Sequence, residues 1–339
     1  MHIQKELIQA TSEYFEDTID QLKLLEASKK YKAILHKISS QKIDTEEGRI
    51  DIENKNGKSL GTFWAGLCLD DILRTRQFIK GIDNAIKDLK KRNTIHVLYA
   101  GTGPFATLIL PIMLRYSNKN ISYTLLEINP FTFNILENVI TALELEDYDI
   151  TLVKDDATRY VIDPKNKPDI IISETMQSAL AKEQQVPIFL NLMRQVSQDT
   201  VFIPEKIALH LALKKAGTPD GRFLKQDYTD IEKIFEVSKA SMFDSYLSEK
   251  QGDEIEVFSK KKTIIKEMDS KTASYLLLNT YIQVYDDVKI DVNESGLTTP
   301  LILRQIPNDI KSTITIDTQY VISSEPRLAY QIILNATEV

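Results

Sequence analysis

Two glutamates, Glu174 and Glu183, stand nine residues apart, the first directly after the apolar run at 169–173. A loop that folds back between them lets both carboxylates converge on one point. Converging carboxylates suit a planar cation, because a guanidinium presents its donors in a rigid fork that matches them bidentately. The plainer reading has Glu174 capping a helix and Glu183 facing water. Upstream, Gly101-Thr102-Gly103 closes a second apolar run, Ile95–Ala100. Glycine there allows a sharp turn and a close approach of backbone to ligand. Glu127 lies 26 residues beyond Gly101 and ends a third run, with Ile128 behind it. A carboxylate at that edge can accept both hydroxyl hydrogens of a ribose. Asp155, Asp156 and Ala157 follow a fourth run, where an acid can receive the exocyclic amine of adenine. A solvated loop acid is the competing reading there.

The glycine turn by itself fits three structures. It is a plain strand-to-helix turn, or a dinucleotide site on the relaxed pattern Gly101-x-Gly103-x-x-Ala106, or the first loop of an S-adenosylmethionine site. All the motifs must sit on one sheet edge to cooperate, and the element pattern supplies that sheet. Strands are expected at 95–100, 121–128, 149–153 and 169–173, with helices opening at Pro104 and spanning 130–143. Such alternation signals a parallel sheet covered by helices. Ahead of it, 5–37 and 65–89 read as helical and 39–62 as a loop or hairpin. Beyond 203 the chain turns β-rich, with runs at 208–213, 275–284, 289–292, 301–305, 312–316 and 329–335 and a helical insertion at 227–248. Three units follow: 1–64, an N-terminal helical segment and loop; 65–204, a Rossmann-like ligand-binding domain; and 205–339, a β-barrel-like domain for substrate and dimerisation.

Composition narrows the function classes. The chain has 42 Lys+Arg against 49 Asp+Glu, a net charge of −7, which argues against a nucleic-acid or anionic-membrane binder. Hydrophobic residues at 42% and charged residues at 27% indicate an ordinary globular protein. One cysteine, Cys68, excludes an internal disulfide framework, and the four scattered histidines form no metal-ligand spacing. No metal is expected. His96, within an apolar run, reads as structural, and Lys260-Lys261-Lys262 as a solvated turn. No run is long enough for a membrane span and the first residues carry charges, so the expected location is the cytoplasm.

The segment 173–183 resembles the double-E loop of the protein arginine methyltransferases: Ser173, Glu174, Met176, Leu180 and Glu183 all match that family's pattern. Val97-Leu98 and Gly101-Thr102-Gly103 are similar to its first cofactor motif, and Glu127 to its ribose acid. Upstream, Leu69-Asp70-Asp71-Ile72-Leu73-Arg74-Thr75 resembles its Leu-x-Asp-x-x-Arg-Thr helix. The resemblance spans about 65–215 by motif. It implies a class I, Rossmann-like methyltransferase that binds S-adenosylmethionine and releases S-adenosylhomocysteine. By that likeness Arg74 holds the cofactor's carboxylate, and Tyr99, Gly101, Thr102, Gly103, Glu127, Ile128, Asp155, Asp156 and Ala157 line its site. Glu174 and Glu183 are the catalytic clamp, Met176 packs beside the acceptor, and the molecule is a homodimer.

Departures cluster on the acceptor side. Tyr99 replaces the acid usual before the first glycine, and Thr175 replaces a bulky residue beside the first glutamate. The family's Thr-His-Trp element is missing, with 301–305 standing roughly at its place. So is its Tyr-Phe-x-x-Tyr element, near which Gly61-Thr62-Phe63-Trp64 stands. The expectation is therefore an N-methyltransferase acting on a guanidino or amino group of a small molecule. A protein arginine methyltransferase is the alternative, followed by a non-catalytic scaffold with the same fold and a nicotinamide-dependent oxidoreductase.

Overall fold

The computed structural model describes every residue except 1, 93, 117–119, 220, 222, 246–248, 252–254, 270–271, 308–310 and 337–339. A five-stranded parallel sheet lies at its centre, in the spatial order Ile150–Val153, Ile121–Leu126, Ile95–Ala100, Ile170–Ser173, Val201–Ile203. Strand Ile95–Ala100 is buried at all six positions, as a strand covered on both faces must be. The order reverses between this strand and Ile170–Ser173, whose last residues, Ala100 and Ser173, pair directly. Gly101 and Glu174 therefore leave the sheet side by side. In open α/β sheets this is where a crevice forms beyond the strand ends.

The N-terminal helical run divides into His2–Ala10 and Gln21–Ile38. Asp20 starts the second helix by accepting from the backbone N–H groups of Leu22 and Lys23. Residues 39–62 contain the hairpin Ile52–Asn54 with Gly57–Ser59. The helix Ile72–Asp88 is capped by Asp71, which accepts from the Arg74 N–H. It buries an apolar stripe that includes Phe78, Ile79, Ile82 and Ile86. The helix expected from Pro104 is mostly turns, with α-helix only at Leu110–Met113. Gly103 and Ala106 both have positive φ, 64° and 44°, which interrupts right-handed helix.

Beyond Ile203 the chain forms two antiparallel sheets, a barrel-like extension of the parallel-sheet core. One contains Lys206–Lys215, Tyr228–Ser238, Ala273–Tyr285, Val288–Ile290 and Leu301–Gln305. The other contains Glu249–Gln251, Ile255–Val257, Lys261–Asp269, Lys311–Ile322 and Arg327–Ala336. The helical insertion at 227–248 is corrected: Tyr228–Ser238 is a strand and Lys239–Ser245 is the α-helix among the described residues, 246–248 lying outside them. Bulges at Leu209/His210 and Leu211/Ala212 in the ladder to Lys206–Lys215 break the period of two. Apolar Ile231, Ile234, Phe235 and Val237 then fall at helix-like spacing although the segment is paired. The lysine run is likewise no turn, since Lys261 opens a strand. No helix among the described residues is long and apolar enough to cross a membrane.

Candidate active site

A cavity of about 570 Å³ opens at the carboxyl edge of the parallel sheet. It is lined by every site residue singled out in the sequence: Arg74, Tyr99, Gly101, Thr102, Gly103, Glu127, Ile128, Asp155, Asp156, Ala157, Glu174, Met176 and Glu183. The sheet explains the convergence, because these groups end or follow a parallel strand or, for Arg74, lie in the first turn of the helix Ile72–Asp88.

At the glycine turn, the N–H groups of Gly101 and Thr102 both donate to the Leu126 carbonyl, at 2.9 and 3.3 Å. A Cβ on Gly101 would come within 2.4 Å of Thr175 Cγ2, and its φ is +76°. Thr175, the residue that departs from the family pattern, thus packs directly on the turn. Glu127 is buried, with Oε2 accepting from Gly103 N–H and Oε1 from Asn129 N–H, both at 2.9 Å. Burial raises its pKa, and those backbone donors oppose the rise. Each oxygen keeps a second lone-pair site for a hydroxyl. Asp156 caps its own turn by accepting from Thr158 N–H, while Asp155 is exposed and accepts from Asp156 N–H. His96 is outside the cavity lining, with one ring nitrogen against Asn166 O and the other against Thr124 Oγ1, a structural histidine.

The two glutamates have different surroundings. Glu174 is buried and ion-paired with the Arg74 guanidinium, whose Nη1 also donates to the Cys68 carbonyl. This pairing was not legible in the sequence, where Arg74 and Glu174 stood as separate motifs. Glu183 has no such ion-pair partner among the described residues. Burial pushes its pKa up to about 7, against a hydrogen bond from Gln177 and the charges of Arg74 and Lys58. The recess is thus of mixed charge, not simply anionic. Tyr99 is buried, and burial raises its hydroxyl pKa, so it stays neutral where the family has an acid.

The loop between the glutamates is held from the barrel side. Tyr320 Oη donates to the Leu180 carbonyl at 2.6 Å, Ala179 N–H to Thr280 Oγ1 at 3.1 Å, and Ser178 Oγ to Thr299 O at 2.7 Å. Lys182 N–H donates to Pro326 O at 2.7 Å. Ala179, Leu180 and Lys182 all have positive φ, 60°, 55° and 68°. Non-glycine residues hold this conformation only where the surroundings over-determine it. Met176 is buried in the cavity wall. The segment 301–305 does not reach the cavity: it forms a largely exposed strand beside Ala273–Tyr285. The turn Gly296–Thr298 does reach it, presenting Leu297 to the cavity while Gly296 N–H and Ser295 Oγ donate to Asp71. Trp64 also lines the cavity, as do Lys58 and Gln184, which carried no motif signal.

Whether this site fits a nucleoside sulfonium can be tested on its unpaired groups. Arg74 Nε, Thr102 Oγ1 and Glu174 Oε1 are buried without a hydrogen-bond partner. Buried polar atoms of native proteins are nearly all paired, so such a cluster marks a place completed by a ligand. The donor and acceptor set suits an amino-acid moiety beside a ribose.

Residues 70–203 match the family model described as PRMT5 arginine-N-methyltransferase. Among solved structures, the Trypanosoma brucei PRMT1 enzyme-prozyme heterotetrameric complex with AdoHcy is similar over 79% of this chain and 96% of its own. Its TM-score is 0.51 at 14% identity, a likeness of fold. No curated protein sequence matches the chain. The fold and the matched core make the chain an S-adenosylmethionine-dependent methyltransferase of the class I, arginine-methyltransferase-like fold.

Proposed function

We propose that this chain transfers a methyl group to a guanidino nitrogen of an arginine-type acceptor. The observation that carries the reading is the separation of the two carboxylates: Glu174 engaged by Arg74, and Glu183 buried in the same cavity without an ion-pair partner among the described residues. The sequence alone favours a small-molecule acceptor. The comparisons support the alternative, arginine held in a protein, better, since both matches carry that family's name.

When bound, the cofactor supplies a methyl group already activated on a sulfonium. The chain's residues must position, exclude water and manage one proton. Glu127 accepts the ribose hydroxyl hydrogens. Arg74, with Nε still unpaired, takes the cofactor's carboxylate while its other face stays on Glu174. Gly101 and Gly103 keep the turn open to the methionine moiety, and Asp155, Asp156 and Ala157 face the adenine. Glu183 draws the guanidinium in and points one nitrogen at the methyl. Arginine's guanidinium resists deprotonation beforehand. The nitrogen therefore loses its proton during or after transfer, and a carboxylate of near-neutral pKa is well matched to receive it. Met176 and Leu297 form the apolar wall of the acceptor side.

Pairing with a second copy through the barrel half is part of the same proposal, and light scattering of the purified protein reads it. The acceptor is tested by incubation with methyl-labelled cofactor and, in parallel, arginine peptides, free arginine, other guanidines and amines. Mass spectrometry should show an arginine-containing acceptor gaining one methyl in place of a hydrogen. Methylation of none of the guanidines, or of amines alone, overturns the reading.

A further inference from the structure

The hairpin Ile52–Asn54 with Gly57–Ser59 lies outside the residues matched by the family model, yet it forms part of the cavity wall. It is stitched to the glutamate loop. Lys58 N–H donates to the Lys182 carbonyl at 2.9 Å, and Lys58 and Glu183 form an isolated parallel bridge. Gly57 permits the approach. Its φ is +118°, and a Cβ there would lie 2.9 Å from Lys182 O and 3.1 Å from Gln184 Cγ.

Gln184 follows the glutamate directly and is 4% exposed. Its Oε1 accepts from Ser59 Oγ at 2.8 Å, so the hairpin sets the orientation of the amide. Its Nε2 is buried with no partner. Beside it, the Lys58 ammonium is tied to Asp51 Oδ2 at 2.6 Å, and Asp51 Oδ1 accepts from Gly61 N–H at 2.8 Å. This recess therefore carries two kinds of recognition. Glu183 suits a cation, whereas the Gln184 amide and the Lys58 ammonium are donors that suit an oxygen. A lone guanidinium satisfies only the first, since it has no acceptor atom to offer.

We propose that Gln184 and Lys58, placed by the hairpin 52–59, form a subsite that binds a main-chain oxygen of the acceptor, a carbonyl or a carboxylate. The proposal rests on the guanidino-acceptor reading and names what else the acceptor carries. Its chemistry is shared by a peptide-held arginine, through its carbonyl, and by free arginine, through its carboxylate.

Calorimetry on protein saturated with S-adenosylhomocysteine tests it with three probes. Free L-arginine offers a carboxylate, N-acetyl-arginine N-methylamide offers only carbonyls, and agmatine offers neither. The better of the first two should bind about tenfold tighter than agmatine, the scale of one buried hydrogen bond completed. Gln184→Met should compress that ratio to about threefold or less. Lys58→Met should compress it for free arginine more than for the blocked form if the carboxylate is the group read. Ratios between probes on one preparation cancel any loss of folded protein. Agmatine binding as tightly as both other probes, a ratio unchanged in Gln184→Met, or binding of none of the three overturns the subsite. Methyl transfer to the same probes is read separately. The expected binding pattern without any transfer keeps the subsite and removes the methyltransfer reading, so the two failures are distinct.

Discussion

Titration of Glu183 offers the sharpest test of the site. The residue is 6% exposed, and desolvation raises its pKa to about 7 even though Gln177, Arg74 and Lys58 pull it down. If the ionised form captures the acceptor, kcat/KM for the acceptor follows the ionised fraction of the enzyme form that meets it, here the cofactor-bound one. An acid of pKa 7 is ionised about 9% at pH 6 and about 91% at pH 8, so the rate should rise about tenfold over that interval. At an ordinary glutamate pKa the same interval would change the rate by only a few per cent. Initial rates with sub-saturating arginine peptide, saturating labelled cofactor and constant ionic strength read this directly. Glu183→Gln should remove the rising limb and lower turnover about 100-fold, the scale of losing one positioned charge. A flat wild-type profile between pH 6 and 8, or the same rise in Glu183→Gln, refutes the reasoning. Stability provides an independent check on the same group. The folded-state pKa lies above the unfolded value of 4.5, so the folded protein holds the proton more tightly. That contribution is complete below pH 4.5 and is lost as pH rises through about 7. Glu183→Gln should therefore gain stability relative to wild type between pH 5 and 8, by at most about 3 kcal/mol at about 1.4 kcal/mol per pH unit. Urea denaturation at the two pH values measures it.

Four further outcomes follow from the geometry. Arg74→Met leaves Glu174 buried without its counter-ion, and chemical denaturation should show a loss of about 3–5 kcal/mol; a loss under 1 kcal/mol would mean the pair is not buried as described. Glu127→Ala should weaken cofactor binding in calorimetry, and an unchanged dissociation constant would show that the ribose lies elsewhere. Gly101→Ala should destabilise by about 1–3 kcal/mol through its positive φ and the contact with Thr175; adding Thr175→Ser, which deletes the clashing methyl, should recover part of that loss in thermal denaturation. Tyr320→Phe removes the hydroxyl that holds the Leu180 carbonyl. It should cost about 1–3 kcal/mol and shift the pH profile of kcat/KM, whereas a stability loss with an unmoved profile would leave Tyr320 no part in aiming Glu183.

Much of the fold was readable because its signals are local. The strand Ile95–Ala100 is a short apolar run closed by glycine. Pro130–Ala142 follows its own Asn129 cap, whose side chain accepts from Phe131 and Thr132 N–H. The failures came where pairing at a distance overrides local period. Tyr228–Ser238 spaces its apolar residues like a helix but lies in a bulged ladder, and the segment after Gly103 loses helix to left-handed backbone. The Thr-His-Trp element could be seen as missing, but the barrel residues that line the cavity could not be named. Gly296–Thr298 is an ordinary loop until Asp71 ties it to the helix Ile72–Asp88.

The sequence by itself determined which groups stand at the rim of the sheet. In a parallel sheet every strand ends at the same edge, so residues that follow successive apolar runs must gather there whatever else the chain does. Tertiary structure alone decided how those groups divide the work. Ion pairing and burial depend on neighbours remote in the chain. Arg74 neutralises one glutamate and leaves the other buried in the cavity wall, with its charge opposed by desolvation. The hairpin that sets Lys58 beside Glu183 and orients the Gln184 amide carries no motif, because its contribution is a matter of position and not of composition.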